Sequence, residues 1–178
     1  MSYLLRTHLD PRIEIRASGI EGMGMFAIAP IPARTVVIEW GGVVMDHEDV
    51  LAGKARLLSV IQLNDGRYLV DPAQAPAQPC EYMNHSCASN LGMVSDVQLA
   101  TRREIAVGEE LTCDYALFRS IHWVIDPSFQ MACRCGSPAC RGLITGHDHQ
   151  LPEVRTAYAG RFAPYLLRDP VFVPLGAA

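Results

Sequence analysis

The densest chemistry in the chain lies at Cys133, Cys135 and Cys140, three thiols within the eight residues CRCGSPAC. Thiolates this close repel one another unless a cation gathers them, and a tetrahedral zinc ion does so. Gly136, Ser137 and Pro138 supply the tight turns between them. The spacing is Cys-x-Cys-x4-Cys rather than the commoner Cys-x2-Cys, so a fourth ligand has to come from elsewhere. Cys80 or His147 would serve on chemistry alone. An all-cysteine site leaves no open coordination position, which makes such a zinc structural rather than catalytic. The competing readings are three reduced thiols in a loop, or a disulfide. A disulfide is disfavoured in a reducing compartment, and Cys-x-Cys is a poor pair to bridge.

Three further segments carry polar groups in a fixed order. They are Gly22-Met23-Gly24-Met25-Phe26-Ala27, then Tyr82-Met83-Asn84-His85-Ser86-Cys87-Ala88-Ser89-Asn90, then Gly108-Glu109-Glu110-Leu111-Thr112-Cys113-Asp114-Tyr115. The cysteine knuckle follows as a fourth. The glycine segment alone carries little information, since any turn could hold it. Asn-His-Ser-Cys, with GEEL-x-x-Asp-Tyr roughly twenty residues later, carries most of it. Together the four resemble the SET-domain protein lysine methyltransferases with a post-SET zinc knuckle, over about residues 12–143.

The resemblance implies S-adenosylmethionine-dependent transfer of a methyl group to the side-chain amine of a lysine in a protein substrate. It implies a mainly β fold of several short sheets, few short helices, and a knot-like threading of the Asn-His-Ser-Cys segment with the C-terminal part. A loop at Gly22, Met23, Gly24 and Met25 would wrap the donor, while Asn84 and His85 would hold it. Tyr115 would be the catalytic residue beside the donor, and Cys87, Cys133, Cys135 and Cys140 would hold one zinc ion. Tyr68 and Cys113 resemble positions lining the lysine channel. The chemistry suits these groups. Free lysine has a pKa of ~10.4, and a narrow apolar channel beside a sulfonium charge disfavours its ammonium form. What remains is to align nitrogen, methyl carbon and sulfur.

Each residue also has a plainer reading. Tyr115 and Tyr68 would serve as core tyrosines and His85 as a satisfied core histidine. Asp114 reads as a cap or structural acceptor, and Glu109 and Glu110 as the solvated end of a turn without a catalytic role. Phe118 and Trp123 read as packing residues or as a cover for the site. The chain departs from the family pattern at Cys113, usually an aromatic, which leaves room for higher methylation states or for a water. It departs again at Trp40-Gly41-Gly42, usually a tyrosine and a Gly-Glu pair, and at Ser89, usually proline. A binding module that keeps the SET-like fold and zinc with little turnover is the alternative function. Methylation of a small amine or an arginine is a third.

The elements that must position these groups are mostly short. Strands are expected at 12–17, 35–40, 43–45, 67–71, 93–100 and 111–115, from alternation and β-branched content. Residues 47–63 read as a helix interrupted at Gly53, and 72–79 as a Pro/Ala loop. Pro152 opens an interrupted helix over 152–168. The chain is expected to divide into an N-terminal segment (1–11), a catalytic domain (12–116), a linker with the zinc knuckle (117–143) and a helical tail (144–178). The tail is expected to pack over the donor site or make a dimer contact.

Fourteen arginines face a single lysine, Lys54, which reads as compositional bias. The net charge of −4 gives no footprint for a nucleic-acid backbone and suits a cationic peptide. No stretch approaches the ~20 apolar residues that span a bilayer. The expectation is a small stand-alone enzyme of a bacterial kind, cytoplasmic, or nuclear in a eukaryote. Its partner is expected to be a lysine-bearing protein, with neither nucleic acid nor membrane.

Overall fold

The β-forming runs of the chain are no more than five residues long, so it builds small sheets rather than one large one. The computed structural model describes residues 3–64, 66–118, 126 and 128–168. Trp123 and residues 169–178 of the expected tail lie outside the described residues. In chain order the strands begin with β1 (His8–Leu9), β2 (Ile13–Ala17), β3 (Met23–Ala27), β4 (Val36–Glu39), β5 (Val43–Asp46) and β6 (Ile61–Asn64). They continue with β7 (Arg67–Val70), β8 (Leu91–Ser95), β9 (Gln98–Thr101), β10 (Glu110–Leu111), β11 (Gln130–Ala132) and β12 (Leu143–Thr145). They form antiparallel sheets ordered β1-β4-β9-β8, β10-β3-β2, β5-β7-β6 and β11-β12. This is the mainly β architecture of several small sheets and few short helices that the sequence predicts.

Three expected elements are corrected, and the first is the strand expected over 93–100, which is a hairpin of β8 and β9 turning at residues 96–97. The helix expected over 47–63 ends at Leu51. Asp46 caps its start by accepting from the Asp49 amide at 2.9 Å. Gly53 then adopts φ 76°, a left-handed conformation that stops the helix. The apolar run that follows is a 3-10 turn at Leu57–Ser59 and then β6, because Ile61 pairs with Leu69 of β7. The strand expected at 111–115 is only β10; Tyr115 opens a 3-10 turn, Tyr115–Leu117.

The helices Pro152–Ala157 and Pro164–Arg168 match the interrupted pattern. They are part of the core rather than an appendage. Tyr158, Phe162, Ala163, Tyr165 and Leu166 are buried in the main cluster with Met25, Ile38, Leu91 and Leu117. The backbone is tied in as well: Met93 donates to the Arg161 carbonyl at 2.9 Å and Ala163 to that of Leu117 at 2.7 Å. A second, smaller cluster holds Val50, Ala55, Val60, Tyr68 and Val70. Among the described residues no helix is long and apolar enough to cross a membrane.

The Gly41-Gly42 departure has a steric cause. A Cβ on Gly41 would lie 2.3 Å from the Arg6 carbonyl carbon, and one on Gly42 would lie 2.3 Å from the Val70 carbonyl oxygen. Gly42 also sits at φ 142°, in the region that favours glycine. The N-terminal segment and β7 therefore fill the space where a side chain would stand. Gly42→Glu should cost about 3 kcal/mol through strain and overpacking. At ~2–4 °C per kcal/mol for a chain of this size, that lowers Tm by roughly 6–12 °C in a thermal melt.

Candidate functional site

Backbone pairing brings two distant segments side by side. Cys113 donates to the Asn84 carbonyl at 3.1 Å, Ser86 donates to the Cys113 carbonyl at 3.2 Å, and His85 and Cys113 form a parallel bridge. Asp114 then caps the 3-10 turn, its Oδ1 accepting from the Ala116 amide at 3.0 Å, which is the capping role expected of it. The turn swings Tyr115 back over residues 83–85. Its hydroxyl donates to the Met83 carbonyl at 2.7 Å. Its amide donates to His85 Nδ1 at 3.2 Å, which leaves the ring proton of neutral His85 on Nε2, 3.3 Å from Cys87 Sγ. Burial holds the His85 pKa down to about 4 and pushes the Tyr115 hydroxyl well above its usual range, so both groups are neutral at pH 7.

Asn84 is anchored by its amide group. Nδ2 donates to the Glu21 and Met23 carbonyls, each at 3.1 Å, and to Glu110 Oε1 at 2.9 Å. Its Oδ1 accepts from no group among the described residues. Glu110 also accepts from Ser18 Oγ at 2.9 Å, and Glu109 from Arg103 Nη1 at 3.0 Å and Asn90 Nδ2 at 2.9 Å. The two glutamates are therefore not a solvated turn end; they brace the site. The expected loop Gly22–Met25 is also corrected. Only Gly22 is in a turn (φ 49°); Met23, Gly24 and Met25 lie in β3, with Met25 fully buried in the core. The Glu110 carboxylate lies against Gly24: a Cβ there would be 2.2 Å from Oε1 and would displace that carboxylate.

Two hollows meet at Tyr115. The larger, about 420 Å³, is a cleft whose lining includes Leu57, Leu58, Ile61, Phe129 and Met131. The smaller, about 40 Å³, lies against Ile20, His85, Cys133 and Arg134. Glu21, Asn84, Tyr115 and Met131 line both. Trp40 and Phe118 form an aromatic wall beside Tyr115, with ring centroids 5.8 Å apart and Phe118 6.0 Å from Tyr115. Two expected channel residues are not in this lining. Tyr68 packs in the second core cluster with its hydroxyl 3.1 Å from His47 Nδ1. Cys113 is fully buried, and its short side chain ends in the main core 3.6 Å from the Asp114 carbonyl. Cys80 does line the cleft, with a thiol that burial pushes up to about 11 and so keeps protonated.

Cys87, Cys133, Cys135 and Cys140 converge, with all four sulfurs within 4.8 Å of one another. Neither Cys80 nor His147 belongs to the cluster. The donor set fits zinc. At a Zn–S distance of about 2.3 Å, tetrahedral sulfurs stand roughly 3.8 Å apart, and Cys87 and Cys133 are separated by 3.8 Å. Backbone amides point at the sulfurs as they do at thiolates: Arg141 N at Cys87 Sγ, 3.3 Å, and Gly142 N at Cys140 Sγ, 3.4 Å.

Several residues escape sequence reasoning. The Met83 carbonyl carries no sequence signal, because main-chain groups are the same in every residue. Glu110 stood in a recognisable motif, but its role depends on β3 passing beneath it. Arg141 directly follows the last cysteine and ties Asp114 to Asp148, residues twenty-seven and seven positions away.

The chain matches the SET domain family over residues 22–116. It is 32% identical over 173 residues to the Drosophila melanogaster histone-lysine N-methyltransferase ash1, a match covering 87% of this chain and 7% of that protein. It is 27% identical over 150 residues to the human histone-lysine N-methyltransferase 2D (77% and 3%). It is 30% identical over 147 residues to the Arabidopsis thaliana histone-lysine N-methyltransferase ATX2 (75% and 13%). The chain thus spans only a small fraction of the length of these relatives.

Proposed function

The chain belongs to the SET-domain family, and from that premise we propose that it transfers a methyl group from S-adenosylmethionine to the side-chain amine of a lysine in a protein. The donor, when bound, supplies the methyl group as a carbon of a sulfonium ion. The residues around Tyr115 fit such a group. The cleft volume falls within the range of small-molecule sites, about 300–1,000 Å³, and Phe118, Phe129 and Met131 give it apolar walls. At one end Glu21 and the open Oδ1 of Asn84 offer acceptors to a cationic amino-acid head.

One observation carries the reading. The Tyr115 hydroxyl has its proton committed to the Met83 carbonyl, so toward the cleft its oxygen can only accept. An acceptor there takes a hydrogen bond from a lysine amine and weak C–H···O contacts from a polarised methyl. Because burial keeps the hydroxyl neutral, Tyr115 orients the amine without acting as a strong base. Trp40 and Phe118 are buried and give the cleft an apolar wall, which would disfavour the ammonium form of an amine beside it. Cys87, Cys133, Cys135 and Cys140 would hold a zinc ion whose work would be structural, since four protein thiolates would leave it no open position.

The relatives are named as histone-lysine N-methyltransferases, so core histones are the first substrate to try. Protein is incubated with labelled S-adenosylmethionine and core histones, or with a proteome extract, beside a Tyr115→Phe control. Tyr115-dependent label on lysine is the expected result by mass spectrometry. Label on arginine, or calorimetric donor binding with no transfer to either mixture, overturns the reading.

A further inference from the structure

Arg141 ties three distant positions together, two carboxylates through its guanidinium and Cys87 through its main-chain amide. Arg141 Nη1 and Nη2 donate to Asp114 Oδ2 and Oδ1 at 2.7 and 2.8 Å, a two-pronged pair, and Nε donates to Asp148 Oδ2 at 2.8 Å. Its amide meets Cys87 Sγ. Asp114 has no exposed side-chain surface, Asp148 has 5% and Arg141 has 11%. Asp148 is itself fixed, since Thr145 donates to its Oδ1 from both the amide and the hydroxyl.

We propose that Arg141 is a positioning residue for Tyr115, carrying the placement of the cysteine knuckle and the C-terminal segment to the turn on which the tyrosine stands. The proposal rests on the methyl-transfer reading of Tyr115. The route is short. Asp114 both receives the guanidinium and caps the turn Tyr115–Leu117, so the carboxylate orientation that suits Arg141 also sets where the turn begins. A bidentate pair fixes two atoms of the carboxylate plane, which a single ammonium cannot do. Asp114 is the residue immediately before Tyr115, so a tilt of its carboxylate passes directly into the tyrosine backbone. The placement of Tyr115 therefore depends on a residue of the knuckle that touches neither cleft nor hollow among their lining residues.

Arg141→Lys tests this, since it keeps the charge and loses the fork. With S-adenosylmethionine and core histones, kcat should fall about 10- to 100-fold, the cost of misplacing a reacting group by about 1 Å, with donor KM within ~3-fold. The second readout needs no turnover. In protein labelled with 3-fluorotyrosine, the Tyr115 resonance (assigned with Tyr115→Phe) should shift or broaden, while that of Tyr68 in the second core stays in place. Val50→Ala, in that second core, is the matched destabilised control. The proposal is overturned if kcat and the Tyr115 resonance match wild type, or move no more than in Val50→Ala. Should Arg141→Lys fail to fold, Asp114→Asn, which keeps an acceptor oxygen and removes the charge, is read in the same two ways. If wild-type protein methylates nothing, the methyl-transfer reading fails, and the fluorine resonance alone decides the positioning role.

Discussion

Tyr115→Phe is expected to lower kcat by about 100-fold or more while leaving donor affinity within ~3-fold of wild type. The substitution removes one oxygen and almost no volume, so the aromatic contacts with Phe118 and His85 remain. What is lost is the acceptor whose proton was tied to the Met83 carbonyl. An amine in the cleft then has nothing to fix its line of attack, and misalignment costs rate rather than binding. Donor affinity should persist because Asn84 is anchored by the Glu21 and Met23 carbonyls and Glu110, none of which touches the Tyr115 hydroxyl. Isothermal titration with S-adenosylmethionine gives the affinity, and single-turnover kinetics give the rate. Near-normal turnover of the mutant would remove Tyr115 from the chemistry.

Metal removal should have the other large effect. Stripping the protein with a chelator is expected to release one zinc per chain and to weaken donor affinity by more than about 10-fold. The physical reason lies in the segment Asn84–Cys87. Cys87 belongs to the four-sulfur cluster, His85 Nε2 points at its sulfur, and Asn84 and His85 line the hollow beside Tyr115. Four sulfurs within 4.8 Å cannot remain thiolates without a cation. On metal loss they protonate or separate, and the segment moves with them. The sheets away from the cluster should persist, because the main core around Met25, Ile38 and Leu91 contains none of the four ligands. Elemental analysis, calorimetry and amide exchange over residues 84–88 and 130–148 follow the three consequences separately. Unchanged donor affinity in metal-free protein would break the link between knuckle and donor site. Protein purified from zinc-containing medium without stoichiometric zinc would remove the metal itself.

The zinc knuckle was the most legible part of the site because its chemistry is local. Three thiols in eight residues form a donor set that suits a cation gathering them as thiolates, and the turn residues between them stand in the same stretch. The strands were nearly as legible: alternation marks Ile13–Ala17 and β-branched content marks Val36–Glu39, and both are written directly into the residue order. Residues 47–63 misled because a run of leucines with Val and Ile suits a helix or a strand equally. The competition was settled by Gly53 and by pairing with β7, a partner that lies after the turn.

The sequence by itself determined which groups are available: four thiols for a metal, an Asn-His pair, a tyrosine after an aspartate, and the short-strand scaffold that carries them. Only the tertiary structure decided what each group does. It brought Cys87, rather than Cys80 or His147, to the other three sulfurs. It withdrew Tyr68 and Cys113 from the cleft, and it placed Glu110 beneath Asn84. It fixed the direction of the Tyr115 hydroxyl proton toward the Met83 carbonyl and hung the turn beneath it on Arg141. Residue types and short-range spacing are properties of the chain. Hydrogen-bond direction, burial and the meeting of segments more than twenty residues apart are properties of packing, and they exist only once the sheets have closed.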